Sequence, residues 1–193
     1  AVSADYDYAY VERDGETLIL AKDLVEARVK GDYRIVRVVK GSELVGMEYV
    51  PLYTYENPEA PAYMVVEGDF VTLSEGTGIV HIAPAFGEDD MRVAQNNGLP
   101  IIQLVDSQGR FDDRARDWSG MFVKDADPLI VQDLKVRGLL FEEMDYTHSY
   151  PYCWRCDTPL LYYARGSWFI RMSDLREQLL ANNAKISWYP EYI

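Results

Sequence analysis

Short strand-like segments dominate this chain of 193 residues, and they do not alternate regularly with helical segments. A β-hairpin is predicted near the start because residues 6–12 alternate in polarity, Asp14-Gly15 is a two-residue turn signal, and residues 17–20 return. Further strands are predicted over residues 33–39, 62–66, 70–73, 78–82 and 101–105. A parallel sheet would require helices between consecutive strands, so this order favours a mixed α+β fold with a barrel-like β-sheet core and peripheral helices.

Two helices are predicted in the first hundred residues. Residues 23–30 have apolar side chains at helical spacing, and Gly31 is a natural C-terminal stop. The acidic run Glu88-Asp89-Asp90 opens a second helix that ends near Gly98, because acidic side chains in a first turn complement the helix dipole. Each helix therefore has a recognisable end signal.

Two further helices are predicted towards the C-terminus. One covers residues 128–137, with Asp127 as its N-cap and Pro128 as its first residue. The other begins at Ser173 as the cap and ends near residue 181. Residues 41–61, which contain Pro51 and Pro58, are predicted to form a long irregular excursion over the surface. A turn is predicted at residues 106–109, after the strand over residues 101–105.

The composition is that of an acidic folded protein, with 19 Lys and Arg against 32 Asp and Glu and a formal net charge of −13. This excess of acid argues against a protein that coats nucleic acid by its own electrostatics, because each phosphate contact needs a cation. No segment approaches the run of about 18 apolar residues that a membrane-spanning helix requires. With only two cysteines and no secretory signal, we expect a cytoplasmic monomer without membrane contact. Because the first residue is not Met, we expect a piece of a longer protein.

Several common enzyme motifs are missing from the sequence. No Walker loop and no G-x-S-x-G serine motif occur, and Gly76-Thr77-Gly78 is followed by His81 where a dinucleotide loop would need glycine. His81 and His148 are the only histidines, which leaves few ways to build a Ser–His–Asp triad. The sequence therefore does not indicate a nucleotide-binding P-loop, a dinucleotide-binding loop or a serine hydrolase.

Two motifs carry a specific resemblance. Residues 76–90 read GTGIVHIAPAFGEDD, and residues 148–159 read HSYPYCWRCDTP, followed by Ser167-Trp168-Phe169. Together they resemble the editing domain, a connective insertion, of the class I aminoacyl-tRNA synthetases for isoleucine, valine and leucine, and its isoleucyl branch in particular. With matching spacing between the motifs, the resemblance covers nearly the whole chain.

The resemblance implies a synthetase editing-domain fold and a proofreading reaction. The expected activity is that of an aminoacyl-tRNA deacylase that hydrolyses valine mischarged on isoleucine tRNA, with valyl-adenylate as a second candidate substrate. Residues 1–150 would form the editing domain, and residues 151–193 a return segment towards the catalytic domain. The synthetase signatures for ATP are absent, so ATP would be used only by a catalytic domain elsewhere in the synthetase chain.

One departure from the family bears on activity. A threonine-rich strand, which forms one wall of the editing pocket in these synthetases, precedes the point where this chain begins. We therefore expect the chain alone to be weakly active. The alternative is a non-catalytic module that binds or guides the 3′ end of the tRNA and is inactive because that strand is missing.

Asp90 is the candidate catalytic residue. By resemblance, its carboxylate accepts hydrogen bonds from the α-ammonium group of the substrate, whereas the structural alternative is an acid that only complements the helix dipole. Asp89 is the weaker candidate and is expected to face solvent or cap the helix. His81 is assigned as a steric gauge that admits valine and excludes isoleucine, and its structural alternative is a packed core histidine.

The remaining candidate residues would bind the ester and the terminal adenosine. They comprise the turn and the loop that follows it, together with one aromatic residue near the tRNA end: Thr77, Gly78, Ala83, Pro84, Phe86 and Tyr150. A tight turn with glycines chosen for backbone freedom is the alternative for Thr77 and Gly78. Aromatic packing is the alternative for Tyr150 and its neighbour His148.

Cys153 and Cys156 have the spacing of half a zinc knuckle. Structural zinc needs four ligands, and in the resembling family a second cysteine pair comes from upstream sequence. We therefore expect no metal in this chain, zinc only in the full-length enzyme, and no cofactor for editing. A small zinc-dependent RNA-binding protein is a further rival hypothesis that depends on this pair alone.

Overall fold

The computed structural model describes residues 1–145 and 147–189, and it contains a three-stranded antiparallel sheet. The strands are β1 (Asp7–Arg13), β2 (Glu16–Ala21) and β3 (Arg34–Lys40), in the order β2-β1-β3. The predicted hairpin is confirmed. Asp14 and Gly15 both have positive φ, 50° and 84°, the conformation that a two-residue hairpin turn with the strand twist requires.

The central strand β1 is buried on both faces. Alternate side chains of a strand point to opposite sides, so Tyr8 enters one apolar cluster while Ala9 and Val11 enter another. The Tyr8 cluster also contains Val2, Ala21, Leu24, Val39 and Leu44, and the Ala9 cluster also contains Leu20, Val25 and Val29. The two core clusters are therefore formed by residues 2–44.

The barrel-like sheet expected from the sequence is not confirmed, since the sheet is open. The segments predicted as strands over residues 62–66, 70–73, 78–82 and 101–105 form no ladder, and those predictions are wrong. Two of these segments make isolated bridges instead, Met64 with Glu48 and Val105 with Phe111, and Glu67, just after the first segment, bridges to Val2. Apolar content alone does not specify a strand, because a ladder also needs a partner segment in register.

The described part of the chain also contains five α-helices. They are α1 (Val25–Arg28), α2 (Gly41–Leu44), α3 (Glu88–Asn97), α4 (Val123–Val136) and α5 (Arg176–Asn183), with 3₁₀ turns at Lys22–Leu24, Asp113–Trp118 and Met172–Leu175. The prediction for α3 is confirmed, and Gly98 closes it in the left-handed conformation with φ of 66°. No helix among these is long and apolar enough to cross a membrane.

Two helix starts differ from their predictions. The helix α4 begins five residues before Pro128, and Phe122, not Asp127, is its N-cap. The carbonyl of Phe122 accepts hydrogen bonds from the N–H groups of Asp125 and Ala126, so a first turn is already formed before the proline. The last helix begins at Arg176, because Ser173 lies within the preceding 3₁₀ turn.

The predicted excursion over residues 41–61 is short helix followed by irregular chain, and two tyrosines attach it to the rest of the molecule. The Tyr53 hydroxyl donates to Asp133 of α4 at 2.7 Å, and the Tyr55 hydroxyl donates to Asp117 at 2.8 Å. The two rings are stacked with centroids 5.5 Å apart. These two side chains thus attach the excursion to α4 and to the Asp113–Trp118 turn.

Candidate functional site

The Gly76-Thr77-Gly78 turn is held against the sheet by hydrogen bonds to all three of its carbonyls. Both glycines have positive φ, 67° and 72°. The donors are Arg28 Nε to Gly76 O at 2.9 Å, Ala21 N to Thr77 O at 2.8 Å, and the Tyr8 hydroxyl to Gly78 O at 2.7 Å. The turn is therefore fixed by α1, by the end of β2 and by the core of β1.

Gly78 is buried where the turn meets β2. A Cβ at this position would lie 2.5 Å from the Cβ of Ala21, closer than two carbon atoms can approach. This contact agrees with the tight-turn alternative for Gly78. The hydroxyl of Thr77 lies 3.5 Å from the carbonyl of Ile79, at the outer limit of a hydrogen bond.

Asp90 lies in the first turn of α3, half-buried, with its carboxylate directed back to the preceding loop. Its Oδ2 accepts a hydrogen bond from the backbone N–H of Ala83 at 3.0 Å. The carbonyl of the same Ala83 accepts from the N–H of Phe86 at 2.8 Å, which folds the loop into a turn. The loop and the start of the helix thus form one unit around the carboxylate.

Asp89 is directed elsewhere, although it is the next residue in sequence. It is exposed and lies 2.8 Å from Arg92, whose guanidinium also binds both carboxylate oxygens of Asp69 at 3.0 and 3.1 Å. The hydrogen bonds that Arg92 donates, first to Asp69 and then to Asp89, raise the pKa of its guanidinium. The two adjacent acids therefore have different surroundings, as the sequence analysis expects, and Asp89 is occupied by an ion pair.

The N-terminal residue lies in the electrostatic field of Asp90. Ala1 and Val80 exchange backbone hydrogen bonds in both directions, which places the chain start beside the strand-like segment that leads to His81. Burial lowers the pKa of the Ala1 α-ammonium group, and the charge of Asp90 opposes this by raising it. The first residue of the chain thus lies in the same region as the Asp90 carboxylate.

His81 is exposed, in the segment between the Gly-Thr-Gly turn and the Ala83 loop. The structure therefore does not support a packed core histidine at this position. The steric-gauge role of His81 stays a prediction.

A cleft of about 440 Å³ lies beside the Ala83 loop. Pro84 and Phe86 line one side of it, and residues 162–164 of the return segment line the other. The Ala164 N–H donates to Ala85 O at 2.7 Å, and the rings of Phe86 and Tyr163 meet edge-on at 6.4 Å. Neither Asp90 nor His81 is among the described residues that line this cleft. The structure therefore does not bring all candidate residues into one cavity.

Tyr150 packs between two parts of the chain. Its hydroxyl donates to the carbonyl of Leu160 at 2.6 Å, and the ammonium of Lys124 lies 5.2 Å from the ring centroid. His148 and Tyr152 each meet the ring edge-on at 5.9 Å. The aromatic-packing alternative for Tyr150 and His148 agrees with these contacts. The contacts of Tyr150 join residues before and after position 150. The domain boundary expected after residue 150 stays a prediction.

Cys153 and Cys156 lie in a knuckle-like turn. The Cys153 N–H donates to Thr158 O at 2.9 Å, and the Asp157 N–H donates to Cys153 O at 2.8 Å. The pKa of the Cys156 thiol is lowered by hydrogen bonds, first with the Thr158 hydroxyl at 3.1 Å and then with Cys153. Within residues 1–145 and 147–189, no three His, Cys, Asp or Glu side chains lie together as a metal site. The residues present fit two of the four ligands of structural zinc.

Sequence reasoning missed two residues that hold the site together, Arg28 and Gly87, and it named Ala83 only as a substrate-binding residue. Arg28 binds Gly76 O and lies 3.7 Å from Glu142, so it ties the turn to a distant segment, and no local pattern signals this. The N–H of Ala83 and the small size of Gly87 both serve the Asp90 carboxylate. The Pro/Gly character of the loop is the one signal that could have identified them.

Comparison with known proteins gives whole-chain matches. The chain is 54% identical over 193 residues to an isoleucine–tRNA ligase of Clostridium novyi (strain NT), with all of this chain and 19% of the relative covered. It is 44% identical over 193 residues to that of Bacillus thuringiensis (strain Al Hakam) and 43% identical over 192 residues to that of Thermoplasma volcanium, with the same coverage. The chain thus spans about a fifth of the length of these relatives. No family model matches.

Among solved structures, the fold is similar to one described as "The crystal structure of GlLeuRS-CP1". The TM-score is 0.57 at 14% sequence identity, with 75% of this chain and 77% of that chain covered. At this identity the likeness concerns the fold alone.

Proposed function

Because this chain is homologous along its whole length to one segment of the isoleucine–tRNA ligases, we propose that it is a proofreading unit that hydrolyses valine wrongly attached to isoleucine tRNA. The need for such a unit follows from the limits of binding. One additional methylene in an apolar pocket contributes only about 1–3 kcal/mol, and isoleucine selection over valine by these synthetases is itself a known example, at about 150-fold. A second site that excludes isoleucine and hydrolyses the valyl ester removes the valine that the first site attaches by error.

The observation that carries the proposal is the arrangement of Asp90. Its carboxylate is half-buried at the start of α3 and is oriented by the Ala83 N–H, so it can accept hydrogen bonds from the α-ammonium group of a substrate. Every aminoacyl ester carries this cation, so the contact recognises the substrate class without reading the side chain. A charge-assisted hydrogen bond of this kind contributes about 1.5–3 kcal/mol.

The proposed reaction is hydrolysis of an ester by water. The water oxygen bonds to the ester carbonyl carbon, the bond from that carbon to the ribose oxygen breaks, and the ribose oxygen takes up a proton as valine leaves. The protein contributes positioning of the aminoacyl group through Asp90 and preorganised donors from the turn and loop. We assign no protein nucleophile, and the neighbouring ribose hydroxyl assists the proton transfer.

His81 supplies the size selection in this proposal. Its imidazole lies on the segment that connects the Gly-Thr-Gly turn to the Ala83 loop, two residues before the N–H that orients Asp90. A ring at this position would limit the volume available to the side chain of a substrate anchored at Asp90. Valine would fit, and isoleucine would be excluded by its additional methylene.

The partners follow from the same proposal. They are the 3′ end of isoleucine tRNA, with valyl-adenylate as a second substrate, and the remainder of a synthetase chain that uses ATP. Editing itself would need no cofactor. Zinc would bind Cys153 and Cys156 only when further protein ligands complete its shell.

The experiment is deacylation of valyl-tRNA against isoleucyl-tRNA, with this chain and with one extended through the preceding threonine-rich strand. We expect weak hydrolysis of valyl-tRNA by the first and faster hydrolysis by the second, with isoleucyl-tRNA left intact by both. Binding of the tRNA 3′ end without hydrolysis by either would support the non-catalytic guiding module instead.

A further inference from the structure

Gly87 leaves a space that the Asp90 side chain fills. A Cβ at Gly87 would lie 2.7 Å from Asp90 Oδ2 and 2.9 Å from its Cγ, inside the 3.0 Å that real Cβ atoms essentially never cross. The same Oδ2 accepts the hydrogen bond from Ala83. The atom that a side chain at position 87 would displace is thus the one that orients the carboxylate.

The backbone at Gly87 does not itself require glycine. Its φ of −142° and ψ of 141° lie in the extended region, which any residue adopts. Its carbonyl accepts from the Met91 N–H at 2.9 Å, so the backbone is held by the helix and cannot withdraw freely. The remaining reason for glycine at this position is space.

We infer that Gly87 is a positioning residue for Asp90, because its missing side chain allows the carboxylate to lie over the loop and bind the Ala83 N–H. This inference rests on the proposed function, in which Asp90 anchors the substrate. Any side chain at position 87 forces the carboxylate to rotate away. A misplacement of about 1 Å in such an anchor can lower the rate by about 100-fold.

Helix capping is the competing explanation, since Gly87 is also the N-cap of α3 and no side chain caps this helix. At N-caps serine is preferred to glycine, and glycine is preferred to alanine. A capping role therefore predicts that Gly87→Ser is tolerated or stabilising. The space-filling role predicts that Gly87→Ser and Gly87→Ala are both harmful, because each adds a Cβ.

The experiment compares these variants in the full-length synthetase that contains the chain. Gly166→Ala is the matched control, because a Cβ there meets nothing within 4 Å and the backbone is not in the left-handed region. The readouts are valyl-tRNA deacylation, isoleucine activation, and hydrogen–deuterium exchange of the Ala83 amide. Isoleucine activation reports whether the enzyme is folded.

We expect both Gly87 variants to lose about 10- to 100-fold in deacylation kcat/KM while isoleucine activation and Gly166→Ala stay at the wild-type level. The Ala83 amide should exchange faster in both variants, as in Asp90→Ala, and combining Gly87→Ala with Asp90→Ala should cause no further change. Wild-type deacylation by Gly87→Ser, with Asp90→Ala inactive, overturns the positioning role alone. Wild-type deacylation by Asp90→Ala overturns the proposed function itself.

Discussion

Oδ2 of Asp90 lies 3.0 Å from the backbone nitrogen of Ala83 and accepts its hydrogen bond, so the first turn of α3 and the loop before it share one contact. Both residues are half-buried, and removal of the carboxylate would leave the N–H without this partner. A buried donor left unsatisfied costs about 1–3 kcal/mol, and at this half-buried position, where water can reach the N–H, we expect the lower end of that range. The carboxylate thus stabilises the loop in which the proposed chemistry takes place.

The first prediction concerns the two adjacent acids. In the full-length enzyme, Asp90→Ala should abolish valine hydrolysis, because the anchor for the α-ammonium group is lost, and it should leave isoleucine activation intact. Asp89→Ala is the matched control and should retain most of the hydrolysis, since Asp89 is exposed and paired with Arg92. Deacylation of valyl-tRNA measures both. Equal loss in the two variants would mean that acidity of the helix start, not the position of Asp90, matters.

The second prediction concerns His81. If the imidazole excludes isoleucine by volume, His81→Ala should gain hydrolysis of isoleucyl-tRNA, since one methylene contributes about 1–3 kcal/mol. Valine hydrolysis should fall less steeply, because Asp90 remains. The measurement is the ratio of isoleucyl to valyl deacylation in the variant and in the wild type. A uniform loss of about 10²–10⁴-fold with the ratio unchanged would identify a general base instead.

The third prediction concerns the Gly-Thr-Gly turn. Gly78→Ala should destabilise the chain more than Gly76→Ala, although both glycines have positive φ. A Cβ at Gly78 would meet Ala21 at 2.5 Å, whereas at Gly76 it meets nothing within 4 Å. Strain of about 1–3 kcal/mol is common to both, and overpacking adds about 1–3 kcal/mol at Gly78 alone. Urea unfolding of the two variants tests this, and equal destabilisation would show that the contact with Ala21 relaxes freely.

The fourth prediction concerns metal. The purified chain should hold no stoichiometric tetrahedral zinc, because Cys153 and Cys156 supply two thiolates and leave half of the coordination shell unfilled. Elemental analysis after dialysis measures this, with Cys153→Ser as the control for non-specific binding. One zinc per wild-type chain that is lost in Cys153→Ser would contradict the prediction and require two further ligands from this chain.

The fifth prediction concerns alkaline pH. Burial, reinforced by the hydrogen bond to Asp133, raises the pKa of Tyr53 from 10.0 to about 12. Because the pKa is higher in the folded state, this contribution to stability is complete below pH 10 and is lost as the pH rises towards about 12. Tyr53→Phe should therefore make the decline in unfolding midpoint over this range shallower. Tyr162→Phe, which changes an exposed ring, should leave the decline as in the wild type. An unchanged slope in Tyr53→Phe would remove this tyrosine from the alkaline transition.

Local signals in the sequence were sufficient for several elements. The Asp14-Gly15 turn, β3 and α3 with its Gly98 stop all follow from neighbouring residues, because hairpin turns and helix ends are encoded within a few positions. The two motifs also sufficed to identify the relatives that the whole-chain matches confirm. The contacts that determine these elements join residues that are close to one another in the sequence.

The tertiary structure decided what depends on distant contacts. The Tyr8 hydroxyl donates a hydrogen bond to Gly78 O, 70 positions away in sequence. The segment around Gly78 contacts the sheet through individual hydrogen bonds of this kind and adds no strand to it, so the sheet has three strands and stays open. Likewise, Asp89 and Asp90 are chemically alike in the sequence, and only the positions of Arg92 and Ala83 around α3 give them different partners. Sequence determines which groups are available, whereas their pairing depends on the packing of segments that no local pattern relates.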